Sequence, residues 1–294
     1  MKNRIFIIVL LFLNYVSAQE KILISENNNI KLYESQASIN SDGNIFPTIY
    51  KNGLIYSSKG KLDNYKLFFT DDKLASKKIK IGASYALGAL SIYNNEVYFT
   101  GVAKRIGKNY SYNFTVVKGV IDGLKIKQNR PLNICNKDFS YTYPSISKDG
   151  KKMIVVTNEQ ESLHLLEFVR NDKNEWEKGD VIFICQPDYE IINPIYYNKN
   201  TIYFSSNLNK EGAIRSLFVN KNDKIYLEGI TKETGDFNIY KLERENGIWG
   251  IPQKADSFNS EFDDLGVIFK DEKSGYLTTY RYNDSENIYY FELK

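Results

Sequence analysis

One hairpin pattern recurs along this chain and limits the folds that the chain can adopt. Its clearest copy is YPSISKDGKKMIVVTN at residues 143–158, where an apolar strand leads through a Lys-Asp-Gly-Lys turn into a second apolar strand. Asn, Asp and Gly tolerate the left-handed backbone conformations that a tight hairpin needs. Similar hairpins begin at Phe46, Leu87, Asn193, Ser216 and Leu265. The chain is therefore a series of copies of one two-stranded unit.

Further strands follow most of these hairpins. A third alternating strand is present in NYKLFFTD, YSYNFTVVKG, SLHLLEFVR, FNIYKLERENGIWG and NIYYFELK, and a fourth precedes the next hairpin, as in GDVIFICQ. Four antiparallel strands repeated every ~40–55 residues are typical of a β-propeller, whereas a β-sandwich would not repeat a whole four-stranded module. The sequence therefore predicts an all-β chain that folds as a propeller of four-stranded antiparallel blades.

The number of blades depends on one irregular spacing. The strands TIYFSSN and KIYLEG lie about half a repeat apart, between Thr201 and Ile225. We expect six blades, of which one is truncated. The alternative is a ring of five blades into which one hairpin is inserted.

The two ends of the chain carry strands that could close the ring. The last predicted blade ends at its third strand, NIYYFELK, and lacks a fourth. Residues 30–36, IKLYESQ, resemble the fourth-strand segment IPQKADS and precede the first hairpin. We expect residues 30–36 to pair with residues 287–293, because this pairing would remove two open sheet edges.

The N-terminus has the three parts of a signal peptide. Lys2 and Arg4 form a positive segment, residues 5–13 are an apolar run too short to span a bilayer, and Val16-Ser17-Ala18 supplies the small residues before a cleavage site. A buried strand or a membrane anchor is the alternative. We expect removal of residues 1–18, a single propeller domain over residues 19–294, and no transmembrane segment after cleavage.

The predicted mature chain carries almost no net charge. The sequence has 39 basic and 36 acidic residues, and two of the basic ones belong to the signal peptide, which leaves +1. Nucleic-acid binding needs a clustered basic surface, and no basic block is present. The KKIK run at residues 77–80 suits an edge strand with solvated lysines. We therefore expect no nucleic-acid partner.

The sequence lacks the common catalytic motifs. His164 is the one histidine, and its strand position in SLHLLEF argues against a Ser-His-Asp or Cys-His mechanism. There is no GxSxG, HExxH, phosphate-binding glycine loop or CxxC. Cys135 and Cys185 occupy equivalent outer positions in neighbouring blades, beyond the ~7 Å between Cα atoms that a disulfide allows. We expect two partly buried free thiols, no catalytic residue, no metal site and no cofactor.

Carboxylates are the one polar feature that repeats. Asp138 and Asp188 lie six residues before the proline of a hairpin, Asp42 lies five before, and Asp263 and Asp264 occupy a comparable connection. These connections should lie on one face of the ring. Two interpretations stay open: an acidic ring that binds a cation or a basic partner segment, or aspartates that cap their own turns through backbone N–H groups. A glycosidase pair of carboxylates is a third.

The repeats resemble those of a known family. YPSISKDGKKMIVVTN and NPIYYNKNTIYFSSN resemble the PxxSPDGxxIYFSSN repeat of TolB-like, WD-type propellers. The run from GDFNIYK to IYYFEL resembles the propeller module of Bacteroidetes envelope proteins, where D-I-Y, W-x-x-P and N-S-x-x-D-D recur. Such modules occur beside OmpA-type peptidoglycan-binding domains and in type IX secretion components. The sequence stops directly after the last predicted strand, so we expect no OmpA-type domain.

This resemblance, the signal peptide and the missing motifs favour an exported, non-enzymatic propeller. The resemblance implies a protein-interaction or scaffold module of the bacterial cell envelope, connected to outer-membrane or type IX secretion machinery. Such a module would lie in the periplasm, at the outer membrane or on the cell surface. The alternative is a glycan-binding or glycan-cleaving propeller with carboxylates at its central funnel. Such an enzyme should have an axial pocket lined by two carboxylates and a stacking aromatic residue.

We expect signal peptidase to cleave after Ala18, so that the mature chain begins at Gln19. Mass spectrometry of the protein from its native cells measures this directly. Retention of Met1, or cleavage many residues away, would show that the segment has another role.

Overall fold

The structure is a computed structural model that describes residues 21–40, 43–59, 65–71, 74–82, 85–86, 88–106, 111–160, 162–185, 189–208, 217–219, 225–227, 237–282 and 285–294. The predicted signal peptide, Asp42 and Asp188 lie outside these ranges. Within them nearly all regular structure is β-strand, and the one helix is the short α1 (Gln36–Asn40). None of the described residues forms a helix long and apolar enough to cross a membrane.

Five antiparallel sheets form the blades of a propeller, numbered here by the chain order of their inner strands. Blade 1 contains β3 (Asn44–Tyr50), β4 (Gly53–Lys59), β5 (Tyr65–Asp71) and β6 (Leu74–Lys78). Blade 2 contains β8 (Ser91–Tyr93), β9 (Glu96–Ile106), β10 (Ser111–Asp122) and β11 (Lys125–Pro131), with β7 (Lys80–Ile81) paired parallel outside β11. Blade 3 contains β12 (Tyr141–Ile146), β13 (Lys152–Thr157), β14 (His164–Arg170) and β15 (Trp176–Ile184).

The remaining strands form two blades and a separate hairpin. Blade 4 contains β16 (Ile191–Asn198), β17 (Thr201–Ser206) and β20 (Asn238–Glu245), with an outer strand broken into β21 (Ile248–Trp249) and β22 (Gln253–Lys254). Blade 5 contains β23 (Asp264–Phe269), β24 (Ser274–Thr279), β25 (Asn287–Leu293), β2 (Ile30–Glu34) and β1 (Leu23–Glu26). The hairpin consists of β18 (Leu217–Val219) and β19 (Ile225–Leu227).

The blade count corrects the sequence-based expectation. β17 pairs along its whole length with β20, from Thr201 opposite Glu243 to Ser206 opposite Asn238. β20 is therefore the third strand of blade 4. Among the described strands, β18 and β19 pair only with each other, so they are an insertion. The preferred count of six blades with one truncated is wrong, and the five-blade alternative is confirmed. The inserted hairpin has the strand and turn composition of an inner hairpin, and the sequence-based count therefore included it as a separate blade.

The N-terminal strand closes the ring as the sequence predicted. Ile30 lies opposite Leu293 and Leu32 opposite Phe291 in the ladder between β2 and β25. Leu32 is 1% exposed and Phe291 is fully buried, so the closing strand also contributes to the core. β1 adds a fifth strand outside β2.

The hairpin turn of blade 3 shows why the repeated turn residues are needed. Asp149 Oδ1 accepts hydrogen bonds from the Ser147 hydroxyl at 2.6 Å and from the Lys151 backbone N–H at 3.0 Å. Gly150 has φ +72°, a left-handed conformation that favours glycine. A Cβ at this position would lie 2.4 Å from the Tyr93 ring of blade 2. The turn therefore packs tightly against the neighbouring blade.

Two further predictions about side chains are confirmed. Cys135 and Cys185 are buried free thiols in different core clusters, and burial raises the pKa of the Cys135 thiol to about 11. The KKIK run lies at sheet edges, although it is divided between two strands: exposed Lys77 and Lys78 end β6 at the outer edge of blade 1, and exposed Lys80 begins β7 at the outer edge of blade 2. Lysines at these edges disfavour pairing with another chain.

Ring closure can be tested with two leucines in neighbouring strands. Leu32→Ala should lower the free energy of unfolding by ~2–5 kcal/mol because it opens a cavity in the core beneath the closing strand. Leu23→Ala in β1, where the leucine is 49% exposed, is the matched control and should change stability by less than ~1 kcal/mol. Chemical denaturation of both variants measures this. Equal effects would contradict the closure shown here, as would a chain lacking residues 19–36 that unfolds like the intact one.

Candidate functional site

A cavity lies on the propeller axis. We call the edge of the ring where the inner strands begin the upper face, and the edge where they turn into their second strands the lower face. The cavity has a volume of about 220 Å³ and is lined by residues of all five blades. Its lower half carries one half-buried isoleucine from each blade: Ile49, Ile92, Ile146, Ile195 and Ile268. The exposed Lys148 stands at its lower rim.

Two aromatic rings close the inner end of this cavity. Phe46 of blade 1 and Tyr143 of blade 3 lie with ring centroids 6.0 Å apart and planes inclined at 54°. Blades 1 and 3 are not neighbours in a ring of five, so these rings meet across the axis. Both side chains are buried. The axial channel is therefore a socket that ends at an aromatic floor.

Backbone bulges turn these side chains toward the axis. Phe46 and Tyr143 have φ of +56° and +50°, and each precedes a proline. Positive φ is unusual for a bulky residue and marks a special backbone position. The register between the first and second strands shifts there in blades 1 and 3, and likewise in blades 4 and 5. A bulge inserts a residue into one strand and re-aims its side chain.

The wall near the floor contains polar atoms without partners. Asn193, at the bulge of blade 4, donates from Nδ2 to the Leu265 carbonyl at 2.7 Å. Its Oδ1 and the Thr278 hydroxyl are buried and make no hydrogen bond within the described residues. Both residues line the cavity and are at most 8% exposed. The socket thus combines an apolar wall with unused hydrogen-bonding capacity at its depth.

A buried polar cluster lies above the aromatic floor. The Glu286 carboxylate accepts hydrogen bonds from the Tyr65 hydroxyl and, at 2.6 Å, from the Tyr280 hydroxyl. Burial, followed by the charge of Glu286, raises the pKa of Tyr280. The charge of Glu190 likewise adds to the burial that raises the pKa of Tyr143. The upper funnel therefore holds carboxylates among phenols that stay neutral.

The predicted acidic residues have different surroundings. Asp263 is buried, and its Oδ1 accepts from the Phe237 backbone N–H at 2.9 Å. Asp264 is buried against Arg281, with Oδ1 2.9 Å from its Nη2, and also accepts from the Ser260 backbone N–H at 2.7 Å. Asp138 is exposed in the connection between β11 and β12. The binding role of these residues and of Asp42 and Asp188 stays a prediction. Asp264 accepts from the backbone of its own connection, as the capping interpretation expects, whereas the backbone N–H that Asp263 accepts from is 26 residues away in the sequence.

The remaining candidates from the sequence lie in structural positions. His164 is 1% exposed at the start of β14, with Nδ1 3.1 Å from the Ser162 carbonyl, as expected of an ordinary strand histidine. Among the described residues, no group of three or more His, Cys, Asp or Glu side chains could hold a metal ion.

The residues that shape the axis were not predicted from the sequence. Phe46, Tyr143 and Asn193 share one visible signal, since each immediately precedes the proline of an inner strand. That signal marks a restricted backbone position, yet it does not reveal which side chains meet across the ring. Glu286 carried no signal, because no motif in the sequence places Tyr65, 221 residues away, or Tyr280, six residues away, against its carboxylate.

Comparison with known proteins identifies the fold alone. No family model matches the sequence, and no curated protein matches it significantly. A thermostable family-43 glycoside hydrolase is similar, with a TM-score of 0.53 and 12% identity over 86% of this chain and 88% of that chain. A GH32 β-fructofuranosidase from Bombyx mori has a TM-score of 0.50 and 11% identity over 85% of this chain and 59% of that chain. TolB from Acinetobacter baumannii has a TM-score of 0.43 and 12% identity, over 86% of this chain and 54% of that chain. This chain thus spans little more than half the length of the last two proteins.

The structural role of Asp264 can be tested through its partner. Arg281→Met should lower the free energy of unfolding by ~3–5 kcal/mol at neutral pH, because it leaves a buried carboxylate without its countercharge. Lys127→Met, which breaks an exposed pair with Asp122, is the control and should cost less than ~1 kcal/mol.

The pH dependence gives a second readout. Burial raises the pKa of Asp264, and Arg281 opposes that rise. Without Arg281 the folded-state pKa lies further above the unfolded value, so the folded protein binds a proton more readily. The stability lost by the variant should therefore be largest at neutral pH and shrink as the pH falls through the folded-state pKa. Denaturation series at several pH values measure this, and a pH-independent loss would argue against a charged Asp264.

Proposed function

We propose that this protein is an exported, non-enzymatic propeller that binds a protein partner in the bacterial cell envelope. The axial socket is the observation that carries the proposal. It is a preformed apolar cavity at the centre of a rigid ring, closed at one end by Phe46 and Tyr143. Its volume of about 220 Å³ suits one large side chain better than a whole metabolite, since small-molecule sites are typically ~300–1,000 Å³.

The lining of the socket indicates what kind of segment would enter it. The five isoleucines favour an apolar side chain from a partner, inserted from the lower face as an anchor residue. A side chain that also carries an N–H donor, such as tryptophan, would use the free Asn193 Oδ1 at the depth of the socket. Lys148 at the rim favours an acidic residue beside the anchor.

The surroundings of the buried carboxylates support a non-enzymatic role. A hydrolytic pair should face a space that admits substrate and water. Asp263 and Asp264 instead accept hydrogen bonds from the backbone and from Arg281, and Glu286 accepts from two tyrosines. These contacts hold the upper ends of blades 4 and 5 in place.

Export and the envelope location rest on the N-terminal sequence and the resemblance to Bacteroidetes envelope propellers. The charged, apolar and small-residue order of residues 1–18 supports export. N-I-Y at residues 238–240 and 287–289, W-x-x-P at 249–252 and N-S-x-x-D-D at 259–264 resemble elements of the Bacteroidetes propeller module. They support a partner within the outer-membrane or type IX secretion machinery. Export, the envelope location and the secretion partner are thus parts of the proposed function.

A glycan-cleaving propeller is the second candidate. The charges of Glu286 and Asp263 both raise the pKa of Tyr280 in the upper funnel. Two carboxylates and an aromatic residue therefore lie near each other there. The two glycoside hydrolases named above have a similar fold, but an identity of 11–12% does not indicate a shared activity.

The proposed function can be tested by filling the socket. Ser145 lines the cavity and makes no side-chain hydrogen bond within the described part of the chain. Ser145→Phe should therefore occupy the socket, leave the fold intact and abolish capture of the partner from envelope fractions. Lys199→Phe adds the same ring to an exposed turn on the lower face and should leave capture unchanged. Quantitative mass spectrometry of the captured proteins compares the variants.

Two outcomes would contradict the proposal. One is a partner that binds the intact protein and Ser145→Phe equally well. The other is hydrolysis of a glycan by the purified protein that disappears in Glu286→Gln, which would favour the second candidate.

A further inference from the structure

A polar groove separate from the axial socket runs along the lower seam between blades 2 and 3. It comprises two adjoining cavities of about 670 and 640 Å³, which share Val120 and Asn174 as lining residues. The inner cavity reaches from Tyr93 to the Asp149–Lys151 turn, and the outer cavity follows β10 and β11 to Trp176. Each is large enough for one or two sugar rings.

Trp176 forms a fixed aromatic surface in this groove. Its indole N–H donates to the Tyr98 hydroxyl at 3.3 Å, and the Tyr98 ring packs edge-on at 5.8 Å between centroids. The Arg170 guanidinium, which lines the inner cavity, lies over the Trp176 ring at 4.5 Å from its centroid. Trp176 itself lines the outer cavity. A ring held in this way loses little conformational freedom when a ligand stacks on it.

The charges beneath the groove compensate one another. Glu96 accepts hydrogen bonds from Lys118, from Arg170 Nη2 at 2.8 Å and from the Tyr98 hydroxyl at 2.9 Å. Despite partial burial, the hydrogen bonds from Lys118 and Arg170 lower the pKa of Glu96. Arg130 and Lys151 also line the groove, and so do Asp149, Asp172 and Glu175. Acidic and basic side chains are therefore equal in number, and the groove presents no net positive charge to a phosphate or a nucleic acid.

Amides make up half of the exposed polar residues that line the two cavities, and the other half are charged residues of both signs. Each amide presents both a donor and an acceptor, which suits a ligand whose hydroxyl groups do the same. The exposed amide residues that line the two cavities are Asn94, Asn95, Gln128, Asn133 and Asn174.

A β-bulge distorts the outer strand of blade 2 beside the outer cavity. The register between β10 and β11 shifts opposite Gly119, and Gln128 has φ +54° at this bulge. The bulge turns Gln128 into the cavity lining. Arg170 Nε on this seam makes no hydrogen bond among the described residues. The seam therefore has polar capacity that the fold itself does not use.

We propose that this groove binds a neutral oligosaccharide, with the face of one sugar ring stacked on Trp176 and its hydroxyl groups hydrogen-bonded to the surrounding amides. A sugar ring has an apolar face of C–H groups and a rim of uncharged hydroxyls, which match a tryptophan face and a rim of amides. A peptide would need apolar pockets for its side chains, and the groove is instead bordered by Asn, Gln and charged residues of both signs. This site is independent of the axial socket proposed for a protein partner.

Calorimetric titration of the mature chain with cellohexaose, maltohexaose, laminarihexaose, xylohexaose, mannohexaose and chitohexaose tests the proposal. At least one should bind with a dissociation constant in the millimolar range or tighter. Trp176→Ala should weaken that binding by about tenfold, because it removes the stacking surface. Asn133→Ala should weaken it by about threefold without disturbing the core, since Asn133 is exposed and makes no side-chain hydrogen bond in the described part of the chain.

The second tryptophan provides a matched control. Trp249 lies beneath Arg244 at 5.6 Å in the corresponding hairpin of blade 4, so Trp249→Ala removes a similar pair and should leave sugar binding unchanged. Ser145→Phe should also bind sugar normally, which separates this site from the axial socket. The proposal is overturned if none of the six sugars binds, if Trp176→Ala and Asn133→Ala bind as well as the intact chain, or if Trp249→Ala loses binding equally. It is also overturned if the protein partner, and no sugar, protects the Trp176 fluorescence from quenching.

Discussion

The pairing of β2 with β25 is the constraint on which the rest of the molecule depends. The chain supplies only three strands of blade 5 at its C-terminal end, and the fourth comes from residues 30–34. Side chains reinforce this backbone ladder, because the Ser35 hydroxyl donates to the Ile288 carbonyl at 2.6 Å and Asn44 Nδ2 donates to Asn287 Oδ1 at 3.1 Å. The first of these bonds lies within blade 5, and the second joins blade 5 to blade 1. The closing strand and the blade 5–blade 1 contact therefore meet at the same place in the ring.

A closed ring of five inner strands makes the axis narrow, and the bulges then decide what occupies it. At Phe46, Tyr143 and Asn193 the backbone adopts positive φ and directs a side chain toward the centre. The two aromatic rings fill the middle, so the lower channel becomes an apolar socket and the upper funnel a separate polar region. Buried carboxylates in that upper region are tolerable because each has donors: Arg281 for Asp264, and Tyr65 and Tyr280 for Glu286. The same bulges thus separate the two environments.

The sequence predicted those features that repeat or that depend on local chemistry. The hairpin turns, the four-stranded period and the closing strand follow from composition and spacing, and the buried thiols and His164 follow from strand position. The blade count could not be decided from the sequence, since β18 and β19 have the composition of an inner hairpin, and only the pairing of β17 with β20 shows that they are an insertion. Nor could the sites be located. Arg170 with Trp176 and Arg244 with Trp249 are the same pattern in two blades, and only contact with Tyr98 of blade 2 places one of them in a groove.

The hairpin turn of blade 3 connects the two candidate sites on the lower face. Lys148 stands at the rim of the axial socket, while Asp149, Gly150 and Lys151 line the seam groove. The turn is stiff, because Asp149 holds it internally and Gly150 packs against Tyr93. A segment anchored in the socket and an oligosaccharide in the groove would therefore lie on either side of one rigid turn. The lower face could accordingly hold a protein and a glycan together without a change in the fold. The repeated turn that sets the architecture of the chain is, in this blade, also the boundary between the two proposed binding surfaces.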